Sequence, residues 1–239
     1  SNPRPGEVSL AHHGVLFLDE LLEFPRHTLE ALRQPLEDGR VVIARASSVV
    51  AYPARFTLVA AMNPCPCGYA GDPTRVCGCA EAEIGRYRSR LSGPLLDRID
   101  LHLTLLPVPL RELGAGASGE SSEAVRARVQ AAREVQRRRQ TGAAGWSCNA
   151  QASGRLLLRQ MDANARQLLD SAAESLSLSA RAYHRVVKVA RTIADLALED
   201  RVASLHVAEA LRYRPALPSQ TTPTRPGPLP RPAARAAAS

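Results

Sequence analysis

Short apolar runs closed by polar or turn-forming residues organise the first half of the chain, and helical periodicity organises the second. Val-Leu-Phe-Leu at 15–18 runs into Asp19-Glu20 and reads as a buried strand with acids at its carboxyl end. Residues 25–37 follow with Leu29, Leu32 and Leu36 at helical spacing, Pro25 suits a first helical position, and Asp38-Gly39 marks a stop. Val41-Val42-Ile43 and Val49-Val50-Ala51-Tyr52 flank a short polar break and predict a hairpin. A second buried strand is expected over 56–62, a loop over 64–80, a helix over 81–92 and a third strand over 100–106. Beyond a Gly/Ala/Ser stretch the pattern becomes purely helical, over about 122–140, 162–176, 179–197 and 204–213. In the 179–197 helix, Tyr183, Val186, Ala190, Ile193 and Ala197 fall on one stripe.

The predicted layout is therefore an α/β unit over 1–110, a linker over 111–121, an all-α unit over 122–213 and a disordered tail over 214–239. Strands that end in polar residues and lead into helices imply a parallel sheet with its site at the carboxyl ends. No run approaches the roughly 20 apolar residues of a membrane span, and nothing at the start resembles a signal peptide, so a cytoplasmic protein without membrane contact is expected. The first residue is Ser1 rather than Met, as in a piece of a longer protein.

Charge sharpens this layout. The net charge of +8 is concentrated in two places. Residues 214–239 hold four Arg and no acid, and residues 122–140 hold six Arg against two Glu. An anionic partner is one reading; a solvated tail and the polar face of a helix are the other. Lys188 is the only lysine.

Five residues carry candidate chemistry. Asp19 and Glu20 form an adjacent carboxylate pair of the kind in a Walker B motif. Asp19 would hold Mg²⁺, since hard cations take oxygen ligands, and Glu20 would activate water. A strand that merely ends in acids before a helix gives the same pattern. Asn63 ends the next apolar strand, where its amide can orient water or simply stop the strand before Pro64. Arg98 can reach a neighbour's phosphate or pair with Asp97 or Asp100. Arg181 can meet phosphate or lie exposed on its helix.

Cys65-x-Cys67 and Cys77-x-Cys79 share one short loop, a spacing that suits a single tetrahedral, structural Zn²⁺; four free thiols are the alternative. Cys148 reads as a lone thiol, and His12 and His13, without partners at metal spacing, as structural.

Residues 5–20, 60–68, 91–102 and 179–196 together resemble the magnesium-chelatase-like ComM/YifB family, in the family's order and across most of residues 3–213. The resemblance implies an AAA+ P-loop NTPase core, partial here, with a parallel sheet and helices, followed by an all-α lid. It implies Walker B roles for Asp19 and Glu20 with ATP and Mg²⁺, sensor 1 for Asn63, an arginine finger for Arg98 and sensor 2 for Arg181. The 41–52 hairpin is similar to the presensor-1 hairpin, which faces the pore of a homo-oligomeric ring, expected as a hexamer. The implied activity is ATP-driven DNA remodelling or branch migration in competence, with Arg40, Arg45, Arg137, Arg138 and Arg139 as candidate DNA contacts. Rival readings are a magnesium-chelatase-type subunit driving metal insertion, and a non-catalytic remnant with a zinc-stabilised loop. One departure from the family is plain: the sequence contains no G-x-x-x-x-G-K-[ST] loop, so the 239-residue chain alone is expected to bind ATP weakly and to be inactive by itself.

Overall fold

Val15–Leu18 (β1) lies parallel to Thr57–Ala60 (β4), with Leu18 opposite Ala60. The computed structural model describes residues 4–45, 48–108, 119–140 and 146–214. The expected tail beyond 214 and most of the expected linker lie outside them. Between these strands the chain forms Arg26–Ala31 (α2), Arg33–Asp38 (α3) and the antiparallel hairpin Arg40–Arg45 (β2) and Ser48–Pro53 (β3). The short helix Glu7–Leu10 (α1) precedes β1, and Glu81–Arg88 (α4) and Gly93–Leu96 (α5) follow β4. A 3₁₀ turn over Leu21–Glu23 closes β1.

Three expectations are corrected, one being that β1 and β4, expected as buried strands, leave one face exposed. The helix expected over 25–37 is split at Leu32, and Pro25 caps α2 instead of entering it. Pro35 has no N–H to donate to the carbonyl of residue 31, so the helical ladder breaks one turn upstream of it. Residues 101–106 form no strand among the described residues. A strand needs a neighbour's backbone to pair with, and β1 and β4 pair only with each other here. Leu103, Leu105 and Leu106 are exposed, as are Val15, Phe17 and Val59 on one face of the β1–β4 pair. The opposite face, with Leu16 and Leu18, packs on a core of Leu21, Leu22, Leu29, Leu32, Tyr87 and Leu95.

The helical half comprises Ser122–Arg139 (α6), Gly154–Leu158 (α7), Ala163–Ser175 (α8), Ala180–Leu196 (α9) and Ser204–Arg212 (α10). Ser121, Asp162 and Ser179 cap three of these helices by accepting a backbone N–H three residues on. Gly154 is fixed by packing, because a Cβ there would lie 2.2 Å from His184 Nδ1. The buried face of α9 carries Ala182, Val186, Ala190 and Ala194, so the expected stripe is rotated and Ala197 is exposed.

That rotation brings Arg191 and Asp195, both 0% exposed, into the core. Asp195 accepts from Arg191 Nε at 3.0 Å, from Asn149 Nδ2 at 2.7 Å and from both terminal nitrogens of Arg139. Arg191 also donates to the backbone carbonyls of Glu199 and Asp200, closing the carboxyl end of its own helix. One carboxylate thus joins α6, the 146–153 loop and α9.

The two halves meet along a polar seam. Asp97 accepts from Ser179 Oγ at 2.9 Å, Asp100 pairs with Arg185, and Arg214 donates to the Ile99 carbonyl at 2.8 Å. Arg214, expected as the first residue of a loose tail, is therefore anchored. At one end of the seam Glu37 pairs with both Arg98 and Arg181. Hydrogen bonds from Arg181, and then Arg98, hold the Glu37 carboxyl below its ordinary value of 4.5.

Two outcomes follow. Asp195→Ala leaves two guanidinium groups buried without their partner and should destabilise the protein by about 3–5 kcal/mol in urea unfolding, whereas Arg138→Ala at the surface should change stability by less than about 0.5 kcal/mol. Glu37 has a depressed carboxyl pKa, so its stabilising effect is present above pH 4.5 and lost as pH falls through the folded-state value. The gap in thermal stability between wild type and Glu37→Gln should be largest above pH 4.5, amount to less than about 1 kcal/mol because the pair is partly exposed, and close in more acidic buffer.

Candidate functional site

The carboxyl edge of the β1–β4 pair collects the first group of candidate residues. Because Leu18 faces Ala60 in a parallel register, Asp19 leaves the edge beside Ala61, and Asn63 lies two residues further along the same side. The edge is held by two backbone bonds, Ala61 N–H to Leu18 O and Leu21 N–H to Ala61 O, both 2.9 Å. Asp19, Glu20 and Asn63 are all exposed there.

Glu20 has φ +49° and ψ +45°, the left-handed region that a side chain longer than Asn or Asp rarely adopts. The strain costs on the order of 1 kcal/mol and persists because the chain on either side is fixed by the sheet and by buried Leu21 and Leu22. Its N–H donates to Asp19 Oδ1 at 2.8 Å, which holds the Asp19 carboxylate against the turn. Adjacent carboxylates at a sheet edge can divide labour, one ligating a hard cation and the other accepting a proton from water. These side chains fit ATP·Mg²⁺ chemistry of that kind: exposed oxygen donors sit on an edge that β1 and β4 make rigid.

At the opposite end of the strands the His12 ring and the His13 backbone both meet Arg55. His12 Nδ1 accepts from Arg55 N–H at 3.0 Å, and His13 N–H donates to Arg55 O at 2.6 Å, which sets the start of β1 against the start of β4.

The second group lies on the seam. Arg98 is only 9% exposed, donates to Pro94 O at 2.6 Å and pairs with Glu37, not with Asp97 or Asp100. Arg181 in the first turn of α9 donates to the same carboxylate, at 2.8 and 3.2 Å. The two arginines, 83 positions apart in sequence, therefore share one partner. Glu37 was not singled out by sequence reasoning. Its only local signal is its place beside the helix stop at Asp38-Gly39, which speaks of a terminus and not of a partner.

The candidate nucleic-acid contacts divide. Arg40 is exposed at the base of the hairpin, and Arg45, at the end of β2, has its side chain outside the described residues. Arg137 and Arg138 project from the end of α6, 66% and 78% exposed, sharing Glu134. Arg139 is turned inward to Asp195 with 16% of its side chain exposed, so it serves the helical core and is withdrawn from the surface set.

The four loop cysteines converge. Their sulfur atoms all lie within 4.8 Å of one another. Cys148 lies in the helical half as a free thiol.

Residues 1–113 match the family model of magnesium chelatase, subunit ChlI, and residues 119–214 match that of the ChlI C-terminal region. The competence protein ComM of Haemophilus influenzae is 48% identical over 216 residues, which is 89% of this chain and 41% of the relative. YifB of Salmonella typhimurium is 48% identical over 217 residues and YifB of Escherichia coli 47% over 214, with the same coverage. This chain thus spans 41% of the length of these curated relatives. No helix among the described residues is long and apolar enough to cross a membrane. The chain belongs to the magnesium chelatase-like ComM/YifB family, which is of the AAA+ ATPase type.

Proposed function

We propose that this member of the magnesium chelatase-like ComM/YifB family contributes the hydrolytic part of a ring-forming AAA+ ATPase, expected as a cytoplasmic hexamer, that couples ATP hydrolysis to DNA remodelling or branch migration. The observation that carries the reading is the adjacent Asp19–Glu20 pair at a parallel sheet edge, with Asn63 on the same edge. The name of the H. influenzae relative, a competence protein, favours DNA as the client.

Bound ATP·Mg²⁺ supplies the electrophilic γ-phosphorus. In this reading Asp19 ligates the cation through its carboxylate. Glu20 accepts the proton of the attacking water, and its fixed backbone holds it on the water's side of the edge. Asn63 orients that water through its amide. Arg98, the arginine finger of the family resemblance, and Arg181, its sensor 2, stabilise the charge of the transferring phosphoryl group. Both are paired with the single Glu37 carboxylate in this structure, so a phosphate approaching them competes with that carboxylate. The β2–β3 hairpin with Arg40 and Arg45, and the end of α6 with Arg137 and Arg138, offer cations for the DNA backbone. A metal-insertion role is the second reading, favoured by the family model's own description as magnesium chelatase.

Three outcomes test the proposal. Full-length protein should hydrolyse ATP faster with branched DNA than without, and Glu20→Gln should reduce turnover by about 10²-fold or more; an intact protein without turnover would overturn the motor reading. DNA affinity should fall steeply with salt, and Arg137→Ala/Arg138→Ala should lower the log–log slope by about one per lost phosphate contact, while an unchanged slope removes them from the interface. The 239-residue chain alone has no phosphate-binding loop in its sequence and should bind ATP far more weakly than the full-length protein in calorimetry; micromolar affinity would contradict the assignment of that loop's role.

A further inference from the structure

The loop between β4 and α4 has a geometry that ATP chemistry does not use. Cys65 and Cys67 stand at its start and Cys77 and Cys79 at its end, two residues before α4 begins. The Sγ–Sγ separations are 3.4 Å for Cys65–Cys67, 3.7 Å for Cys65–Cys77 and 3.6 Å for Cys67–Cys77. A tetrahedron with metal–sulfur bonds of about 2.3 Å has edges of about 3.8 Å, so these contacts match the edges of a zinc–thiolate site. A disulfide needs about 2.05 Å, well inside every one of these separations.

The backbone is shaped to the same end. Gly68 N–H closes a tight turn on Cys65 O at 3.0 Å, and Gly68 and Gly71 hold φ +84° and +85°, which L side chains resist. The turn aims N–H groups at sulfur: Ala70 N–H reaches Cys65 Sγ at 3.3 Å, and those of Tyr69 and Gly78 reach Cys67. Donors of this kind stabilise thiolates and fix the direction of ligating sulfurs.

We infer that Cys65, Cys67, Cys77 and Cys79 bind one Zn²⁺ as a closed, structural clasp that ties the segment after Asn63 to the start of α4. Four thiolates leave no open coordination position, so the metal has no substrate. Each thiol loses its proton on binding, and the bound cluster carries two negative charges. The clasp closes a loop whose ends are also joined by Arg88 Nε donating to Pro64 O at 3.0 Å. Cys65 is 0% exposed, so the clasp is anchored in the interior of the protein. The inference is independent of the ATPase reading, because it rests on sulfur geometry alone.

The test is metal analysis of the untagged full-length protein by mass spectrometry. One zinc per chain is expected, released by an organomercurial in step with the modification of four thiols beyond the free thiols such as Cys148. Replacement by Co²⁺ should give sulfur-to-cobalt charge-transfer bands and the visible absorption of a tetrahedral site. Cys67→Ser/Cys79→Ser should reduce zinc at least tenfold, and Cys148→Ser should retain it. Wild-type protein that stays metal-free after refolding with Zn²⁺, or that is 2 Da lighter through a loop disulfide, would overturn the assignment. So would the double variant keeping its zinc. The organomercurial titration uses wild-type protein only, so it decides the question even where the double variant fails to fold.

Discussion

A single buried carboxylate organises the helical half of this protein. Asp195 gathers Arg139 from α6, Asn149 from the following loop and Arg191 from its own helix, with none of its surface exposed. Taking charges out of water is expensive, and such a cluster is tolerated only when each group is paired and hydrogen-bonded. Here nearly every direction around the carboxylate is filled. The cluster therefore sets the angle at which α6 meets α9, and the apolar residues beside it follow that angle. The position of Arg181, in the first turn of α9, depends on it in turn.

The α/β half is organised by backbone instead. Two parallel strands in register bring Asp19 and Asn63 to one edge, and the chain turns at once through a left-handed Glu20 into buried Leu21 and Leu22. The strain at Glu20 is held in place by what surrounds it, as is common where geometry serves chemistry. The seam between the halves assembles Arg98 and Arg181 on Glu37. Residues from three separate stretches of sequence thus become neighbours only once both halves are folded.

Much of this was legible in the sequence because local patterns carried it. The 15–18 run, the hairpin and the four principal helices of the second half are recovered as elements, although the stripe on α9 is rotated and one face of β1 is exposed. The third strand was not legible, because pairing is a property of neighbours and residues 101–106 find none here. The split at Leu32 was readable in principle from Pro35. Arg139 illustrates a different limit. Three consecutive arginines look alike in sequence, yet a rotation of 100° per residue on α6 sends two to solvent and one to a carboxylate 56 positions away. Glu37 escaped notice for the same reason, since its partners lie 61 and 144 positions away. The cysteines, by contrast, declared themselves by spacing alone.

The seam has one further consequence. It joins the halves by charge: Glu37, Asp97 and Asp100 on one side face Arg181, Arg185 and Arg214 on the other. Apolar burial is what gives folding its large heat capacity change, and ion pairs contribute little of it. The halves can therefore part along this line with little change in heat capacity, whereas unfolding either one would change it substantially. The local ionic atmosphere accordingly governs how tightly such a joint closes.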